Sequence, residues 1–359
     1  MNQMKVGIAS GDWIHPLKSG QEHPHWGGSG WARLGQYADL LPFQVTVGVL
    51  TWIKDHFYIV DLDNAKHDVD VVYIQRLMHA GLKDHIMQAR AYGQKVINDM
   101  DDWYWGLSTD NQAYWVNHPN NNTNENINHY KSILNNSDMV TVSTPYLRDR
   151  LSAFVRCPMV VVPNYVDVAR FTTYEHKDTD TPTVGWVGST GHRSGDIETI
   201  SGWLRPMAER GEVLLYHGGD HISNPSYASK LKIDPSFVRT KPLVKSQDYP
   251  SLMDMDIGVV PLSNIPFNHA KSDIKGLEYA SAGIPFVAQS VSSYADLKAE
   301  LGIGLTAGKS YDWIRHIKKL CDYTYRCELA EHGLEQVKKR DISIGVTKIA
   351  ELISSLYTS

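Results

Sequence analysis

Short apolar segments alternate with helical stretches along this chain, and the alternation runs through two successive series. A strand that is followed by a helix and then by another strand builds a parallel sheet with helices on both faces. The first series therefore predicts a Rossmann-like sheet in the first half of the chain. Its β-rich segments are residues 6–9, 44–50, 69–75, 95–99 and 139–143, and its helical stretches are residues 32–41 and 80–92.

A polar run at residues 174–182 separates the two series and is the best candidate for a linker. A chain of 359 residues is too long for one core. We predict an α/β protein with two Rossmann-like domains, residues 1–170 and 171–340, that face a central cleft. Residues 341–359 are expected to form a terminal helix that packs back toward the first domain. The second series has β-rich segments at residues 183–188, 213–216, 257–261 and 285–288 and helical stretches at 196–209 and 271–282.

The composition argues against several classes of protein. With 42% hydrophobic and 21% charged residues, the chain is globular rather than disordered. The net charge of -5, with no basic half, argues against a large nucleic-acid-binding face. The N-terminus has no signal-peptide pattern, and no apolar run approaches the roughly 18 residues of a membrane span. We therefore predict a cytoplasmic protein with reduced cysteines.

We predict neither a metal site nor a tightly bound cofactor. A D-x-D pair can hold a divalent cation beside a diphosphate. The pattern occurs three times in this chain, as residues 61–63, 99–101 and 254–256, which makes it a weak signal. The 16 histidines show no ligand spacing such as H-E-x-x-H.

Two glycine-containing segments are candidates for binding a phosphate or a sugar. W-G-G-S-G-W-A-R at residues 26–33 follows the first strand, and W-V-G-S-T-G-H-R at residues 186–193 ends the first strand of the second series. Glycine lets backbone N–H groups approach an anion closely, and a helix N-terminus favours negative charge. Arg193 could grip a phosphate through two bonds. A surface loop and a capped helix start are the alternatives.

The segment N-H-A-K-S-D-I-K-G-L-E-Y-A-S-A-G-I-P, residues 268–285, carries three charges at helical spacing. Lys271, Lys275 and Glu278 stand at i, i+4 and i+7, which predicts one helical face. The two lysines repel each other unless an anion lies between them, and Glu278 could accept both hydroxyls of a ribose. A solvated face is the alternative. The position after a strand, at the expected cleft edge, favours a binding site.

Five segments, in this order, resemble landmarks of the GT-B glycosyltransferases of the group-1 type. The resemblance extends over nearly the whole chain. The N-x-x-K-S-x-x-K-G-L-E-Y form and D-D-W at residues 101–103 are similar to a subset found in phage and bacterial modification clusters. The five segments are G-G-S-G-W-A-R (27–33), V-S-T-P-Y-L-R-D-R-L with P-N-x-x-D-x-x-x-F (142–171), V-G-W-V-G-S (184–189), I-G-V-V-P-L (257–262) and K-G-L-E-Y-A-S-A-G-I-P-F-V-A (275–288).

The resemblance implies a nucleotide-sugar donor bound mainly by the second domain, with a UDP-sugar favoured and a GDP-sugar as the other candidate. Glu278 matches the family glutamate that holds the ribose, and Arg193 and Lys271 are the predicted catalytic cations. Ala270 stands where the family often has a second glutamate, so the donor sugar stays open. The other predicted donor-binding residues are Gly28, Ser29, Ser189, His192, Gly218, Val244, Ser272 and Lys275.

The resemblance also implies transfer with retention at the anomeric carbon, for which no enzymic base is needed. An inverting enzyme would need a carboxylate at the acceptor hydroxyl to act as the base. The candidates are Asp101 and Asp102, and Asp101 is the one predicted to be catalytic. The first domain, which usually takes the acceptor, has aromatic side chains such as Trp103 and Trp105 that can stack on sugar rings or on bases. A saccharide or glycan is the first choice of acceptor. A hydroxymethylated pyrimidine in DNA is the second and a protein side chain the third. The predicted acceptor-binding residues are Arg33, Asp102, Trp103 and Trp105.

Two other classes of protein stay open at this point. A nucleotide-sugar-binding module would share the donor site without turnover. A Rossmann-type oxidoreductase is disfavoured because the first strand is not followed by G-x-G-x-x-G. The sequence predicts no oligomeric state.

Overall fold

The computed structural model describes residues 3–15, 24–109, 111–118, 120, 123–192 and 195–357. In this part of the chain each half holds one six-stranded sheet, and every strand pair within the two sheets is parallel. The predicted α/β architecture with two Rossmann-like domains is confirmed. The domain boundaries at residues 170 and 340 stay a prediction.

The first sheet has the strand order β11-β10-β9-β8-β1-β4. Its inner strands are buried along nearly their whole length, which is why they appear in the sequence as continuous apolar runs rather than alternating ones. Two small antiparallel sheets, β2-β3 and β5-β6-β7, flank it. The strands are β1 (Lys5–Ser10), β2 (Trp13–Ile14), β3 (His25–Trp26), β4 (Gln44–Val47), β5 (Val49–Ile53), β6 (His56–Val60), β7 (Lys66–Asp68), β8 (Val71–Gln75), β9 (Lys95–Met100), β10 (Met139–Val142) and β11 (Met159–Val161).

Several elements of the first half differ from the prediction. The single strand expected at residues 44–50 is divided at Gly48, where a Cβ would lie 2.1 Å from the carbonyl oxygen of Val60. The polar and aromatic segment at residues 103–128, where the sequence leaves a long loop and an irregular helical excursion open, contains a 3₁₀ turn and a short helix. A longer helix begins at its end, at Asn126, and the apolar spacing of Ile127, Tyr130 and Leu134 was the signal for it. The helices are α1 (Gly28–Arg33), α2 (Leu82–Ala91), α3 (Gln112–Asn117), α4 (Asn126–Asn136) and α5 (Pro145–Leu151), with 3₁₀ turns at Gly35–Tyr37 and Tyr104–Gly106.

The second sheet has the order β14-β13-β12-β15-β16-β17; its four inner strands lie at the predicted segments, and its two edge strands were not predicted. Its strands are β12 (Thr183–Val187), β13 (Leu214–Asp220), β14 (Val238–Pro242), β15 (Ile257–Val260), β16 (Phe286–Gln289) and β17 (Leu305–Ala307). Its helices are α6 (Glu198–Glu209), α7 (Tyr227–Leu231), α8 (Pro266–His269), α9 (Ile274–Ser281), α10 (Ser292–Leu301), α11 (Ser310–Cys321), α12 (Tyr323–Gln336) and α13 (Ile342–Ser355).

The terminal helix α13 packs against the first domain, although it follows the second domain in the chain. Ile342, Ile349 and Ile353 belong to the same buried cluster as Val6 and Ile8 of β1. Burial of this apolar face ties the end of the chain to the first sheet.

Candidate active site

The two sheets face each other across a cavity of about 770 Å³ beyond the carboxyl ends of their strands. Ligands of open parallel sheets bind at this edge, where a loop follows each strand. Residues from both domains form its wall. The predicted site residues on that wall are Gly28, Ser29, Arg33, Asp101, Asp102, Ser189, Val244, Lys271, Ser272, Lys275 and Glu278.

Helix α9 gives the second domain's wall a paired cation and carboxylate. The Nζ of Lys275 lies 3.2 Å from Oε2 of Glu278 and donates to the hydroxyl of Tyr249, whose ring centre is 4.6 Å away. The two charged side chains are only 13% and 17% exposed. Because water screens this pair poorly, each charge strongly affects what binds beside it.

Lys271 occupies a different place from the predicted one. The sequence predicts one helix over residues 271–282, but α8 ends at residue 269 and α9 begins at residue 274. The three charges therefore do not share a helical face, and that prediction was wrong. The carboxylate of Asp273, which immediately precedes α9, is bound 3.0 Å from Arg340 and fixes the connection between the two helices. Lys271 Nζ reaches across the cleft to 3.4 Å from Asp102 Oδ1.

Strand β12 ends in a turn that brings two backbones together. Gly188 has a φ of +143°, and Gly219 on the neighbouring strand has a φ of +109°. A Cβ on Gly219 would lie 2.8 Å from the carbonyl oxygen of Gly188, so a side chain cannot fit there without movement. Ser189 follows and accepts a 3.0 Å hydrogen bond from Asn224. The turn presents backbone to the cleft where the sequence predicts phosphate contacts.

The donor-binding residues predicted around this turn do not all lie on the cavity wall. The backbone of His192 lies in the 3₁₀ turn Thr190–His192, and Arg193 lies outside the described residues, so the roles of both side chains stay predictions. Gly218 is part of β13 and packs beside Leu252 rather than on the cavity wall. Val244 does line the cavity.

The glycine-rich segment of the first domain forms α1, Gly28–Arg33, and a 3₁₀ turn follows at Gly35–Tyr37, whereas the sequence predicts one helix over residues 32–41. The backbone N–H of Gly30 donates to Asp12 Oδ2 at 3.0 Å, and a Cβ there would lie 2.6 Å from the Cβ of Asp12. Glycine thus allows the helix to pack against the loop after β1. Trp26, just before α1, accepts a 2.9 Å hydrogen bond at its carbonyl from Ser246 of the second domain.

Arg33 is a structural side chain, and its geometry argues against the predicted acceptor-binding role. It is 4% exposed and binds Asp99, which is fully buried, at 2.7 Å. Its Nη1 donates to the carbonyl of Val162 and to the side chain of Asn164. Although one edge borders the cavity, an acceptor would have to break one of these buried bonds. Asn164 also donates to Ser272 Oγ at 2.7 Å, which links this network to the second domain.

Asp101 and Asp102 follow β9 and form the wall opposite Lys271. Both bind Arg76, whose Nη2 is 2.6 Å from Asp101 Oδ2 and 3.2 Å from Asp102 Oδ2. Burial alone would raise the pKa of Asp101, but the charge and hydrogen bonds of Arg76 outweigh burial and lower it. Asp101 is therefore held as a carboxylate, which suits accepting a hydrogen bond better than removing a proton.

Sequence reasoning missed Arg76 and its partner Asp12, which are 2.9 Å apart. Both come just after a strand of the first sheet, β8 for the arginine and β1 for the aspartate. That position was the available signal, because polar residues at the ends of neighbouring parallel strands meet at one edge of the sheet.

Trp103 and Trp105 pack on each other and on Phe154 rather than on the cavity wall. The ring centres of the two tryptophans are 5.0 Å apart, and Trp105 lies 4.7 Å from Phe154. Both pack against the core of the first domain. Their predicted contact with the acceptor stays a prediction that this packing does not support.

Comparison with known proteins gives a match at the level of the fold. No family profile and no curated protein matches the chain. Sucrose-phosphate synthase from Thermosynechococcus elongatus aligns with a TM-score of 0.66 and 14% identity, over 99% of this chain and 100% of that one. HepE from Anabaena, in complex with UDP, aligns with a TM-score of 0.65 and 14% identity, over 98% and 100%. The chain has the GT-B fold.

The GT-B fold alone does not decide the reaction. A glycosyltransferase from Rickettsia africae aligns with a TM-score of 0.65 and 10% identity, over 99% of each chain. A putative UDP-N-acetylglucosamine 2-epimerase from Listeria monocytogenes also aligns, with a TM-score of 0.57 and 12% identity, over 99% of this chain and 97% of that one. The function therefore has to be argued from the residues of the cleft.

None of the helices in the described residues is long and apolar enough to cross a membrane. The described residues also contain no group of three or more His, Cys, Asp or Glu side chains placed to hold a metal ion.

Proposed function

We propose that this protein is a glycosyltransferase that moves a sugar from a nucleoside diphosphate sugar to an acceptor hydroxyl. The observation that carries the proposal is the cleft itself. A glycine turn and the Lys275–Glu278 pair form one wall, and the carboxylates of Asp101 and Asp102 form the other. Residues 171–340 would bind the donor and residues 1–170 the acceptor. UDP is the favoured nucleotide, and GDP is the alternative.

The donor would lie along α9 and the turn at Gly188. Glu278 would accept hydrogen bonds from both hydroxyls of the ribose, and Lys275, now paired with it, would turn toward the diphosphate. Ser189 and the backbone of the turn add donors of the kind that bind phosphate oxygens. Arg193 would complete the set of cations. HepE, which shares the fold, has been crystallised with UDP and with UDP-glucose, which supports UDP as the first nucleotide to test.

The transfer would proceed with retention. As the bond between the anomeric carbon and the diphosphate oxygen breaks, its electron pair passes to the diphosphate, where Lys271, Lys275 and Arg193 would stabilise the charge. The acceptor oxygen would bond to the same face of that carbon, and its proton would pass to the departing phosphate oxygen. This route requires no enzymic base, in keeping with the lowered pKa of Asp101.

A saccharide is the acceptor that this cleft favours. Carboxylates such as Asp101 and Asp102 accept hydrogen bonds from sugar hydroxyls. The same carboxylates would repel the phosphates of DNA, and the net charge of -5 adds to that repulsion. A hydroxymethylated pyrimidine in DNA stays the second candidate because of the resemblance of residues 268–279 and 101–103 to modification-cluster enzymes.

The test is nucleotide release from a panel of UDP-, GDP- and ADP-sugars, measured with saccharides, with hydroxymethylated duplex DNA and with neither. We expect saccharides to stimulate release from a UDP-sugar. Stimulation by DNA that weakens with salt would favour the second candidate instead. Sugar isomerisation without transfer would indicate an epimerase and overturn the proposal.

Two variants test the donor site. Glu278→Gln should weaken UDP binding by about 100-fold, because hydrogen bonds to a carboxylate contribute about 1.5–3 kcal/mol each. Glu209→Gln changes a half-exposed glutamate at the end of α6 and serves as the matched control. Normal turnover in the Glu278→Gln protein would refute the assigned ribose contact. UDP binding by the wild-type protein that Glu278→Gln weakens, with no turnover of any donor, would indicate a binding module.

A further inference from the structure

Arg76 has an unusual backbone for its residue type. It directly follows β8 and has a φ of +56°, in the left-handed region that favours glycine and asparagine. The turn also brings its carbonyl oxygen so close to Gly11 that a Cβ on that glycine would lie 2.6 Å away. A strained conformation of this kind persists only where surrounding contacts maintain it.

Those contacts come from three separate elements that meet at the guanidinium. The Nε donates to Asp101, and Nη1 donates to both carboxylate oxygens of Asp12. The Nη2 donates to Ser29 Oγ at 2.9 Å, to Asp101 Oδ2 at 2.6 Å and to Asp102 Oδ2 at 3.2 Å. All three nitrogens of the guanidinium thus donate within the protein.

Arg76 binds residues of the cavity wall but does not itself line the cavity. Ser29, Asp101 and Asp102 line it, whereas Arg76, whose side chain is 21% exposed, does not. A substrate phosphate would have to compete with these protein partners to bind the guanidinium. What it does is fix the orientation of three side chains that face the cleft.

We propose that Arg76 is a positioning residue that holds Asp101, Asp102 and Ser29 in the geometry that receives the acceptor. The inference deepens the proposed function and rests on it. A planar fork is needed because two carboxylates on different loops are bound at the same time, and a lysine offers no such fixed geometry. These bonds hold the guanidinium between Asp12, which follows β1, and Asp101, which follows β9, and so they maintain the strained backbone of Arg76.

The positive charge of Arg76 also offsets the repulsion among the carboxylates around it. Asp12, Asp101 and Asp102 repel one another, and Arg76 is the cation that binds all three. Among the described residues, other polar or charged groups near this cluster are Ser29, Lys271 beside Asp102, Arg33, Tyr130 and the ring of Tyr104, 6.0 Å from the guanidinium. Without Arg76, the pKa of Asp101 would rise, because the largest effect that opposes burial would be lost while only Ser29 and Arg33 still opposed it.

Three variants of the full chain test the proposal. Arg76→Asn removes the cation but suits a positive φ, so the backbone is not strained further. Arg76→Lys keeps a cation but loses the fork. Arg90→Asn removes a first-domain arginine that lies 3.0 Å from Asp138 and off the cavity wall, and serves as the control.

The kinetic probe is transfer from UDP-glucose to the methyl hexoside that the wild-type protein uses best. For Arg76→Asn, kcat/KM for that acceptor should fall by about 100-fold, as expected for displaced positioning groups. The Kd for UDP and the rate of UDP-glucose hydrolysis in water should stay close to wild type. Arg76→Lys should be intermediate, and Arg90→Asn unchanged. The acid limb of the transfer rate should move to higher pH in Arg76→Asn, which a loss of folding alone would not cause.

A crystal structure of the Arg76→Asn protein separates this inference from the proposed function. Displaced Asp101 and Asp102 carboxylates with unchanged Lys275 and Glu278 would support the positioning role. Carboxylates that stay in place, an unchanged acceptor kcat/KM or an equal loss of UDP binding would each overturn it. A wild-type protein that binds neither UDP nor GDP and cleaves none of the nucleotide sugars would refute the proposed function, while the crystal structure would still decide whether Arg76 orients the wall.

Discussion

Replacing Arg33 by methionine should show that this side chain holds the first domain together. Arg33 and Asp99 are 4% and 0% exposed, with the closest N–O pair at 2.7 Å. Asp99 also accepts a 2.7 Å hydrogen bond from Thr141. Arg33→Met leaves a buried carboxylate with its main partner gone.

The expected loss in free energy of unfolding depends on how deeply the ion pair is buried. Removing one partner of a buried ion pair costs about 3–5 kcal/mol, because the remaining charge stays out of water without compensation. The pair Arg148–Asp149 has a similar N–O distance of 2.9 Å, but its side chains are 47% and 68% exposed. Breaking such a surface pair costs about 0.2–1 kcal/mol. The two variants should therefore differ clearly in free energy of unfolding.

Urea unfolding, followed by circular dichroism, measures the loss of free energy of unfolding in Arg33→Met and in Arg148→Met. Hydrogen exchange at β9 and β10 shows whether the first domain is the part that is weakened. The double variant Arg33→Met with Asp99→Leu should recover much of the stability, since no charge then remains buried. A loss below about 1 kcal/mol in Arg33→Met, or a double variant no more stable than the single one, would refute the reasoning.

Two further outcomes are expected. Gly219→Ala should lower the free energy of unfolding by about 1–3 kcal/mol, since a Cβ would lie 2.8 Å from the Gly188 carbonyl at a φ of +109°. Gly202→Ala, inside α6 with open space around it, should instead stabilise by about 0.5–1 kcal/mol, and thermal melting compares the two. Burial lowers the pKa of His217 below its ordinary value of 6.5, so the unfolded chain takes up a proton first and stability should fall from pH 7.5 to 5.5. This decrease should be smaller in His217→Gln, and equal decreases in urea midpoint would contradict the assignment.

Much of the fold was predictable because each strand and helix carries a local signal. Apolar runs marked the inner strands of both sheets, whereas the edge strands β11, β14 and β17 were not predicted. The polar run at residues 174–182 marked the connection between the two series. The helix α4 was not predicted, because asparagines surround its apolar positions and obscure their helical spacing. The division at Gly48 could not be seen, since it depends on the carbonyl of Val60 approaching from another strand.

The candidate site was predictable where residues that are close in sequence also act together. Lys275 and Glu278 are three residues apart on one helix and do form a pair on the cavity wall. Lys271 broke the pattern, because Arg340, far along the chain, binds Asp273 and fixes the connection between two helices.

The sequence by itself determined the order of the elements, the two parallel sheets and the edge at which their loops meet, because periodicity and turn residues report local burial. Only the tertiary structure decided that Arg33 is buried against Asp99, and that Arg76 gathers Asp12 and Asp101. Those partners are brought together by the order of β9, β8 and β1 in the sheet. Strand order is set by packing among segments distant in the chain, so no local pattern specifies which charges meet.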